Sequence, residues 1–541
     1  MIPSHVPTAL LLLLYFGALF FLFLYGMNCY IMIFLHRREK HRNLRQDDEV
    51  WKAWQATEHQ LPQVTVQLPI YNEQYVIQRL IETVARLDYP KDQLEIQVLD
   101  DSTDGTTAIA TPLIDHYRRA GFDITLLHRT NRTGYKAGAL KEGLEIARGE
   151  FIAIFDADFM PDPDFLLRTL PFFQDPGIAM VQARWGHINR DYSLLTLAQS
   201  FGIDGHFWVE QAARCWSGLF MNFNGTAGIW RRKAIDDAGG WQADTLTEDL
   251  DLSYRAQLKG WRMKFLPDVV CPAEVPVQIA AAKSQQHRWA KGSIQTAIKL
   301  VPRILKAEIP LFTKYQAVFH LTNYMVHPLM LVVALSSPLL LWFDGFLSLR
   351  EHLLAAAAIF SVATFGPSSM YLYAQKHLYP DWKRRLRYFP SLLVFGTGVA
   401  LNNTKAILEA FFRIDGAFVR TPKFGIEKGS DTWVDKRYRP PIPWLSLLEA
   451  LLALYCIYGV YLFIERGTHL VDPFLLLYAA GFATVASMSL WETLRSAVVT
   501  PKATRDPREV DEEVEGHVVK LFEEGQHMTT AAVPLERGPM A

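Results

Sequence analysis

The chain has 541 residues, room for several domains, with 55 basic against 56 acidic side chains and a net charge of −1. That balance excludes a global basic field for nucleic acid. Apolar residues make up 50% of the chain and are unevenly placed, in long runs toward both ends with a polar, mixed block between them.

Residues 9–35 are almost wholly apolar and exceed the ~20 residues a membrane helix needs. No Lys or Arg precedes the run, and it is too long for the apolar core of a signal peptide. The basic stretch His36-Arg37-Arg38-Glu39-Lys40-His41-Arg42 follows at once and should stay in the cytoplasm. The expectation is an uncleaved anchor over 1–40, its N-terminus outside.

From about Val64 to Leu311 the pattern is that of a soluble α/β domain. Val64–Pro69, Leu94–Leu99, Ile124–His128 and Phe151–Phe155 read as short strands. Val76–Leu87, Thr106–Ala120 and Ala137–Ala147 read as helices between them. Such alternation implies a parallel, doubly wound sheet. Acidic residues fall just past the strand ends, where open α/β sheets bind ligands.

Apolar runs return at 318–343, 353–373, 442–464 and 471–490. A further run, 389–412, carries Asn402, Asn403, Lys405 and Glu409 in its second half and has basic residues on both flanks. One span cannot satisfy the positive-inside preference at both ends. An interfacial or re-entrant segment is therefore expected there, with a true span as the alternative. The tail from Thr500 is charged and largely acidic. The four cysteines, Cys29, Cys215, Cys271 and Cys456, are too scattered for a disulfide framework or a metal cluster and read as free thiols.

Several short motifs carry possible chemistry, and each has a plainer reading beside it. Asp156-Ala157-Asp158 ends a strand, where two acids one apart can share a divalent metal bound to a diphosphate; an ordinary solvated turn looks the same. Asp100-Asp101-Ser102-Thr103-Asp104-Gly105 can hydrogen-bond a ribose or base, or be an Asx-rich loop. Lys136 opens a helix after a basic, glycine-containing stretch and suits a phosphate. Asn222–Gly228 has small residues that let a sugar approach the backbone, or form a packed turn. Gln285, Arg288 and Trp289 lie close together on a helical pattern; an indole stacks on a sugar and Arg pairs with a diphosphate. Thr247-Glu248-Asp249-Leu250-Asp251 begins another helical run, with Thr245 and Glu248 spaced as a capping box. Its acids suit a helix N-terminus, whose dipole should lower the pKa of Asp249.

Taken together and in order, these motifs resemble the membrane-embedded family 2 glycosyltransferases of the cellulose synthase group: DD at Asp100-Asp101, DxD at Asp156 and Asp158, TED at Thr247–Asp249, and QxxRW at Gln285, Arg288 and Trp289. The phrases at 67–73, 133–140, 223–228 and 285–289 look most like the CslA-like mannan and glucomannan synthase branch. The resemblance implies a GT-A type nucleotide-sugar-binding domain, α/β with a mostly parallel central sheet, inserted between transmembrane helices. It divides the chain into the anchor 1–40, a cytoplasmic catalytic domain 41–311, two membrane helices 312–388, an interfacial helix and gating-like loop 389–441, two more helices 442–493 and a cytoplasmic acidic tail 494–541.

It also implies roles. Asp100, Asp101, Lys136, Asp156 and Asp158 bind the donor, Asp156 and Asp158 with Mg²⁺ or Mn²⁺. Asp249 is the catalytic base. Glu248, Gln285, Arg288 and Trp289 bind the acceptor end and the leaving diphosphate. Thr421 and Lys423 belong to a run similar to the gating loop of cellulose synthases, although Arg420 stands where an apolar residue is usual. The expected activity is that of an inverting, processive hexosyltransferase that polymerises a β-linked mannan, glucomannan or glucan from a nucleotide sugar, GDP-mannose or UDP-glucose, and passes the chain into a membrane channel. The alternative is transfer of a single sugar to a ceramide or polyprenyl-phosphate lipid. The implied setting is a bacterial inner or plasma membrane or a eukaryotic Golgi membrane, contacting lipid but not nucleic acid.

Overall fold

The computed structural model describes residues 5–342, 350–414, 420–434, 436, 444–465 and 472–498. Most of the acidic tail, the loop holding Arg466 and His469, and Phe418 and Val419 lie outside the described residues.

One seven-stranded sheet organises the central block, in the order β3-β2-β1-β4-β6-β5-β7. Its strands are β1 (Val64–Ile70), β2 (Leu94–Asp100), β3 (Asp123–His128), β4 (Phe151–Ile154), β5 (Ile178–His187), β6 (Gly228–Arg231) and β7 (Arg262–Ala273). β1 and β2 are buried on both faces, as parallel strands covered by helices must be, and their buried polar side chains pair across the strands, Thr65 with Glu95 at 2.6 Å and Gln67 with Gln97 at 3.0 Å. Pro69 is tolerated in this central strand because β1 pairs with β4 only as far as Gln67. Helices α2 (Ile77–Ala85), α3 (Thr106–Arg119) and α4 (Tyr135–Ile146) make the crossovers.

The sheet is mostly parallel, as expected, with one reversal: β6 runs antiparallel to both β4 and β5. The reversal matters for the site. It sets the start of β6, Gly228, beside the end of β4, Ile154. Residues entering β6 therefore meet residues leaving β4 at the same rim.

Between and after the last four strands lie α5 (Phe165–Thr169), α6 (Leu194–Gly205), α7 (Ala212–Trp216), α8 (Arg232–Asp237), α9 (Glu248–Leu258) and α10 (Ile279–Lys306). A π-helical stretch, His206–Gln211, joins α6 to α7. Beyond α10 come α11 (Leu311–Leu321), α12 (Val326–Trp342), α13 (Arg350–Leu378), α14 (Trp382–Arg385), α15 (Phe389–Gly398), α16 (Ala400–Phe411), α17 (Trp444–Glu465) and α18 (Asp472–Val498).

Among the described residues four helices are long and apolar enough to cross a membrane, within Ala9–Gln55, Asn323–Leu340, Trp444–Glu465 and Pro473–Ser496. Much of the expected span 353–373 has side chains outside the described residues, although α13 is helical throughout. The first helix, α1 (His5–Gln55), does not end near residue 40. Its polar extension docks on the sheet block, with Lys264 paired to Asp47 and Arg168 over the Trp51 ring. Small residues let the apolar helices close up: a Cβ on Gly366 would meet Gly26 O at 2.2 Å. The segment 389–412 breaks at Val399 into helices of 10 and 12 residues, each too short to span. α16 lies on α10 instead, through Asn402 to Lys283 O (2.9 Å) and Lys291 to Glu409 (3.1 Å).

Candidate active site

A single cleft of about 1260 Å³, open mouth included, lies over the carboxyl ends of β1, β2 and β4. It brings together Asp101, Lys136, Asp156, Asp158, Glu248, Asp249, Gln285, Arg288, Trp289, Thr421 and Lys423. Of the residues selected from the sequence, Asp100 alone does not line it. Asp100 is fully buried beneath the wall, accepting from Ser102 N (2.8 Å), the Thr107 hydroxyl (2.5 Å) and His128 Nδ1 (3.0 Å). It shapes the turn that presents Asp101, an Asx-type role.

Asp101 is gripped by both arms of Arg129 at 2.6 and 2.7 Å, a bidentate pair that fixes its plane. The next arginine, Arg132, stacks on Tyr71 with 3.3 Å from guanidinium carbon to ring centroid. Tyr71, Asp101 and Arg132 line the cleft together.

In the middle stands Lys136. Its ammonium lies 2.5 Å from Asp156 Oδ1 and donates to Gly225 O at 2.8 Å. Burial opposes that charge, but Asp156, Glu248 and Asp249 hold its pKa above the usual lysine value. The turn before β6 makes the approach possible. Gly225 has φ +80°, and a Cβ there would sit 3.0 Å from Asp249 Oδ2 and 3.4 Å from Lys136 Nζ. Asp156 N donates to the Thr226 hydroxyl at 2.8 Å, locking this turn to the end of β4.

Asp249 is the second residue of α9. The expected capping box is absent: Thr247 is the N-cap and makes no side-chain cap bond, and Thr245 Oγ1 has no hydrogen-bond partner among the described residues. Glu248 is thereby left facing the cleft. The expectation for the Asp249 pKa is overturned as well. Burial and the neighbouring Glu248 carboxylate push it up to about 7, against Lys136, the Leu250 N–H and Arg288. Desolvation outweighs the helix dipole because the dipole is worth only ~0.3–1 kcal/mol, whereas one pKa unit corresponds to about 1.4 kcal/mol. Asp251 is structural, as its place one helical step further on implies: it is fully buried between Arg255 (2.7 Å) and Lys299 (2.9 Å).

α10 carries Gln285, Arg288 and Trp289 to the opposite wall and buttresses the TED turn. A Cβ on Gly292 would strike Thr247 Cγ2 at 2.5 Å, and Leu246 N donates to Gln295 Oε1 at 2.9 Å. The loop 420–427 closes the remaining side. Lys423 Nζ is 2.5 Å from Asp158 Oδ2, and Arg420 is 2.7 Å from Glu73. Glu274, just past β7, accepts from the backbone N–H groups of Phe424, Gly425 and Ile426 at 2.9, 2.9 and 3.3 Å. This one carboxylate sets the loop's register over the cleft.

Sequence reasoning missed Glu73, Glu274, Trp185 and His187, which all line the cleft. Glu73 stood in view in the turn after β1, and burial pushes its pKa up to about 8 against the pull of Arg420. Glu274 carried no local signal, because its partners lie about 150 residues away. The four cysteines are free, as expected.

Among the described residues no group of three or more His, Cys, Asp or Glu could hold a metal alone. Asp156 and Asp158 still fit a hard divalent cation, since such ions are commonly held by one or two carboxylates with the rest supplied by phosphate and water. In the structure each carboxylate is paired with an ammonium, Asp156 with Lys136 and Asp158 with Lys423.

Residues 62–292 match the family described as glycosyltransferase like family 2. The matched segment contains all seven strands of the mostly parallel sheet. The chain is 43% identical over 265 residues to glucomannan 4-beta-mannosyltransferase 1 of Oryza sativa subsp. japonica, covering 48% of this chain and 51% of that protein. It is 43% identical over 275 residues to glucomannan 4-beta-mannosyltransferase 2 of Arabidopsis thaliana, covering 50% of each. The chain thus spans about half the length of the curated relatives it matches. A mannosyltransferase from Pyrobaculum calidifontis, solved in complex with GDP-Man and Mn2+, is 22% identical with a TM-score of 0.45, over 72% of this chain and 99% of that one.

Proposed function

We propose that this chain is an inverting, processive glycosyltransferase that extends a β-linked mannan, glucomannan or glucan from a nucleotide sugar and delivers it to a membrane passage beside α10. The observation that carries the reading is the place of Asp249, in one cleft with Lys136, Asp156 and Asp158 and with Gln285, Arg288 and Trp289 of α10; burial and Glu248 raise its pKa toward the range of a base. A general base works best with a pKa near the operating pH, and this one is poised there.

In the reaction the acceptor hydroxyl lies between Asp249 and Trp289. Asp249 takes its proton as the oxygen attacks the anomeric carbon. The bond from that carbon to the diphosphate breaks on the opposite face, so an α-linked donor yields a β-linked product. Lys136 and Arg288 offset the charge on the leaving diphosphate. Asp101 with Arg129, and Arg132 with Tyr71, receive the nucleoside. Asp156 and Asp158 are the residues that would hold Mg²⁺ or Mn²⁺, which when bound supplies Lewis-acid stabilisation of the diphosphate. Lys423 and Thr421 close the cleft over the donor. The two relatives named as glucomannan 4-beta-mannosyltransferases support GDP-mannose as the first donor to try. The catalytic block faces the cytoplasm, on the side of the basic flank after the first apolar run, and the chain is multi-pass.

The test is a donor screen on membranes containing the full chain, with linkage and size analysis of the product. A long β-linked polymer from one nucleotide sugar, abolished by chelation and restored by Mn²⁺, is expected. One sugar on an organic-soluble lipid would overturn the polymerase reading.

A further inference from the structure

Trp185 and His187 are two residues apart on β5, so their side chains leave the same face of the strand. Both line the cleft, and neither belongs to a motif used above. Trp185 packs edge-on against Phe159, next to Asp158, with ring centroids 5.1 Å apart. Its indole Nε1 is buried and has no hydrogen-bond partner among the described residues. The indole nitrogens of Trp208, Trp216, Trp230 and Trp241 are likewise unpartnered, but of the five only Trp185 lines the cleft, where a ligand oxygen can serve as the acceptor.

His187 supplies the complementary half. Its Nε2 lies 2.9 Å from Asp204 Oδ1, and the two side chains are 3% and 1% exposed. The second oxygen of Asp204 accepts from Gln375 Nε2 of α13 at 2.7 Å. With Gln375 donating to one oxygen and His187 facing the other, Asp204 is satisfied as a carboxylate. An ionised carboxylate only accepts. The proton between the two residues therefore belongs to Nε2, and in the neutral ring Nδ1 is an acceptor.

We propose that Trp185 and His187 form a hydroxyl-reading pair for a hexose ring in the cleft: the indole N–H donates to one sugar oxygen, and His187 Nδ1 accepts from a neighbouring hydroxyl. Asp204 and Gln375 are positioning residues that hold the ring and its tautomer. This specificity role rests on the glycosyltransferase reading. Epimers differ in the direction of one hydroxyl, and a donor and an acceptor fixed on a strand distinguish those directions, because the wrong epimer leaves buried polar groups unpaired. If Trp185 were only a core anchor, losing its N–H would leave epimer preference alone.

The experiment uses the full-length protein in membranes. Trp185→Phe keeps the ring and removes the N–H. His187→Ala removes the acceptor, His187→Asn keeps an amide near the place of Nδ1, and Asp204→Asn releases the tautomer. Two series are read. In the first, kcat/KM is compared for epimeric donors on one nucleotide, GDP-mannose against GDP-glucose or UDP-glucose against UDP-galactose, whichever nucleotide the wild type uses. In the second, one donor extends manno- and gluco-oligosaccharide acceptors. Binding of the free nucleoside diphosphate is measured alongside.

Trp185→Phe and His187→Ala are expected to change the epimer ratio about tenfold, the scale of one lost hydrogen bond. His187→Asn should retain more of the ratio, Asp204→Asn should change it less, and nucleotide affinity should hold. A shift in the donor series assigns the pair to the donor sugar, and one in the acceptor series to the growing end. Ratios unchanged in both series, in active variants that bind nucleotide, overturn the pair alone; should His187→Ala not fold, Trp185→Phe and His187→Asn decide. A wild type that binds nucleotide sugars and transfers none overturns the glycosyltransferase reading and the pair with it.

Discussion

The two walls of the cleft are built in different ways. The wall carrying Asp101, Lys136 and Asp156 comes from β1 to β4 and the helices between them, within about 95 residues of chain. Each acid follows its own strand, and local turns present it. The facing wall joins β5, the α9 turn, α10, Glu274 and the loop 420–427, whose contacts span up to about 350 residues. Its parts meet through single close approaches: Gly225 under Asp249, Gly292 against Thr247, Glu274 under three loop amides. A wall made of local turns tolerates small shifts elsewhere in the molecule. A wall made of long-range contacts transmits them to the chemistry.

That contrast can be broken most directly at Asp249. Asp249→Asn should cut transfer by ~10²–10⁴-fold while nucleoside diphosphate binding persists, read as nucleotide release and by calorimetry. Near-normal transfer would move the base elsewhere. Next comes Gly225→Ala, which forces a side chain onto φ +80° and against the Asp249 carboxylate. About 100-fold loss of kcat is expected, since displacements near 1 Å at reacting groups have that scale. If activity survives, the close approach is incidental.

Gly292→Ala tests the hinge between α10 and the TED turn. Its Cβ would lie 2.5 Å from Thr247 Cγ2 and 2.8 Å from Thr247 N. Overpacking of ~1–3 kcal/mol should lower the melting temperature, with a rise in acceptor KM larger than any in donor KM. A rise confined to the donor would contradict the division between the walls. Lys423→Met removes the loop's partner for Asp158. About a tenfold rise in donor KM is expected, with Asp249 still titrating normally.

The smallest effect is a shift in pH dependence. Asp249 must be ionised to accept a proton, so kcat/KM should fall as the pH drops below about 7. Glu248→Gln removes the like charge that helps raise this pKa, so the acid limb should move to lower pH. An unmoved limb would assign it to another group, with Glu73, pushed up to about 8, the first to examine.

The donor half was largely legible before the fold was known. Strand periodicity located β1 to β4, and the acids at their ends followed, because a parallel sheet puts its loops at one rim. The order DD, DxD, TED, QxxRW along the chain carried the rest. Several local inferences failed for physical reasons. The Thr245–Glu248 spacing fits a capping box, but the helix begins at Glu248. The dipole argument for Asp249 ignored burial. Asp100 looked equivalent to Asp101, yet one is buried under the turn and the other presented by it.

What the sequence determined by itself is the set of elements: apolar helices, an α/β block and acids at strand ends, all of which follow from periodicity and local turn chemistry. Only the tertiary structure decided which charges share one low-dielectric space. The reversed β6 brings the Asn224–Thr226 turn to Asp156, and Gly292 lets α10 close on Thr247. The loop residue Lys423 arrives at Asp158 from 265 positions away. Burial and charge neighbours, not residue type, set the pKa of Asp249, and neighbours at such separations leave no mark on local sequence.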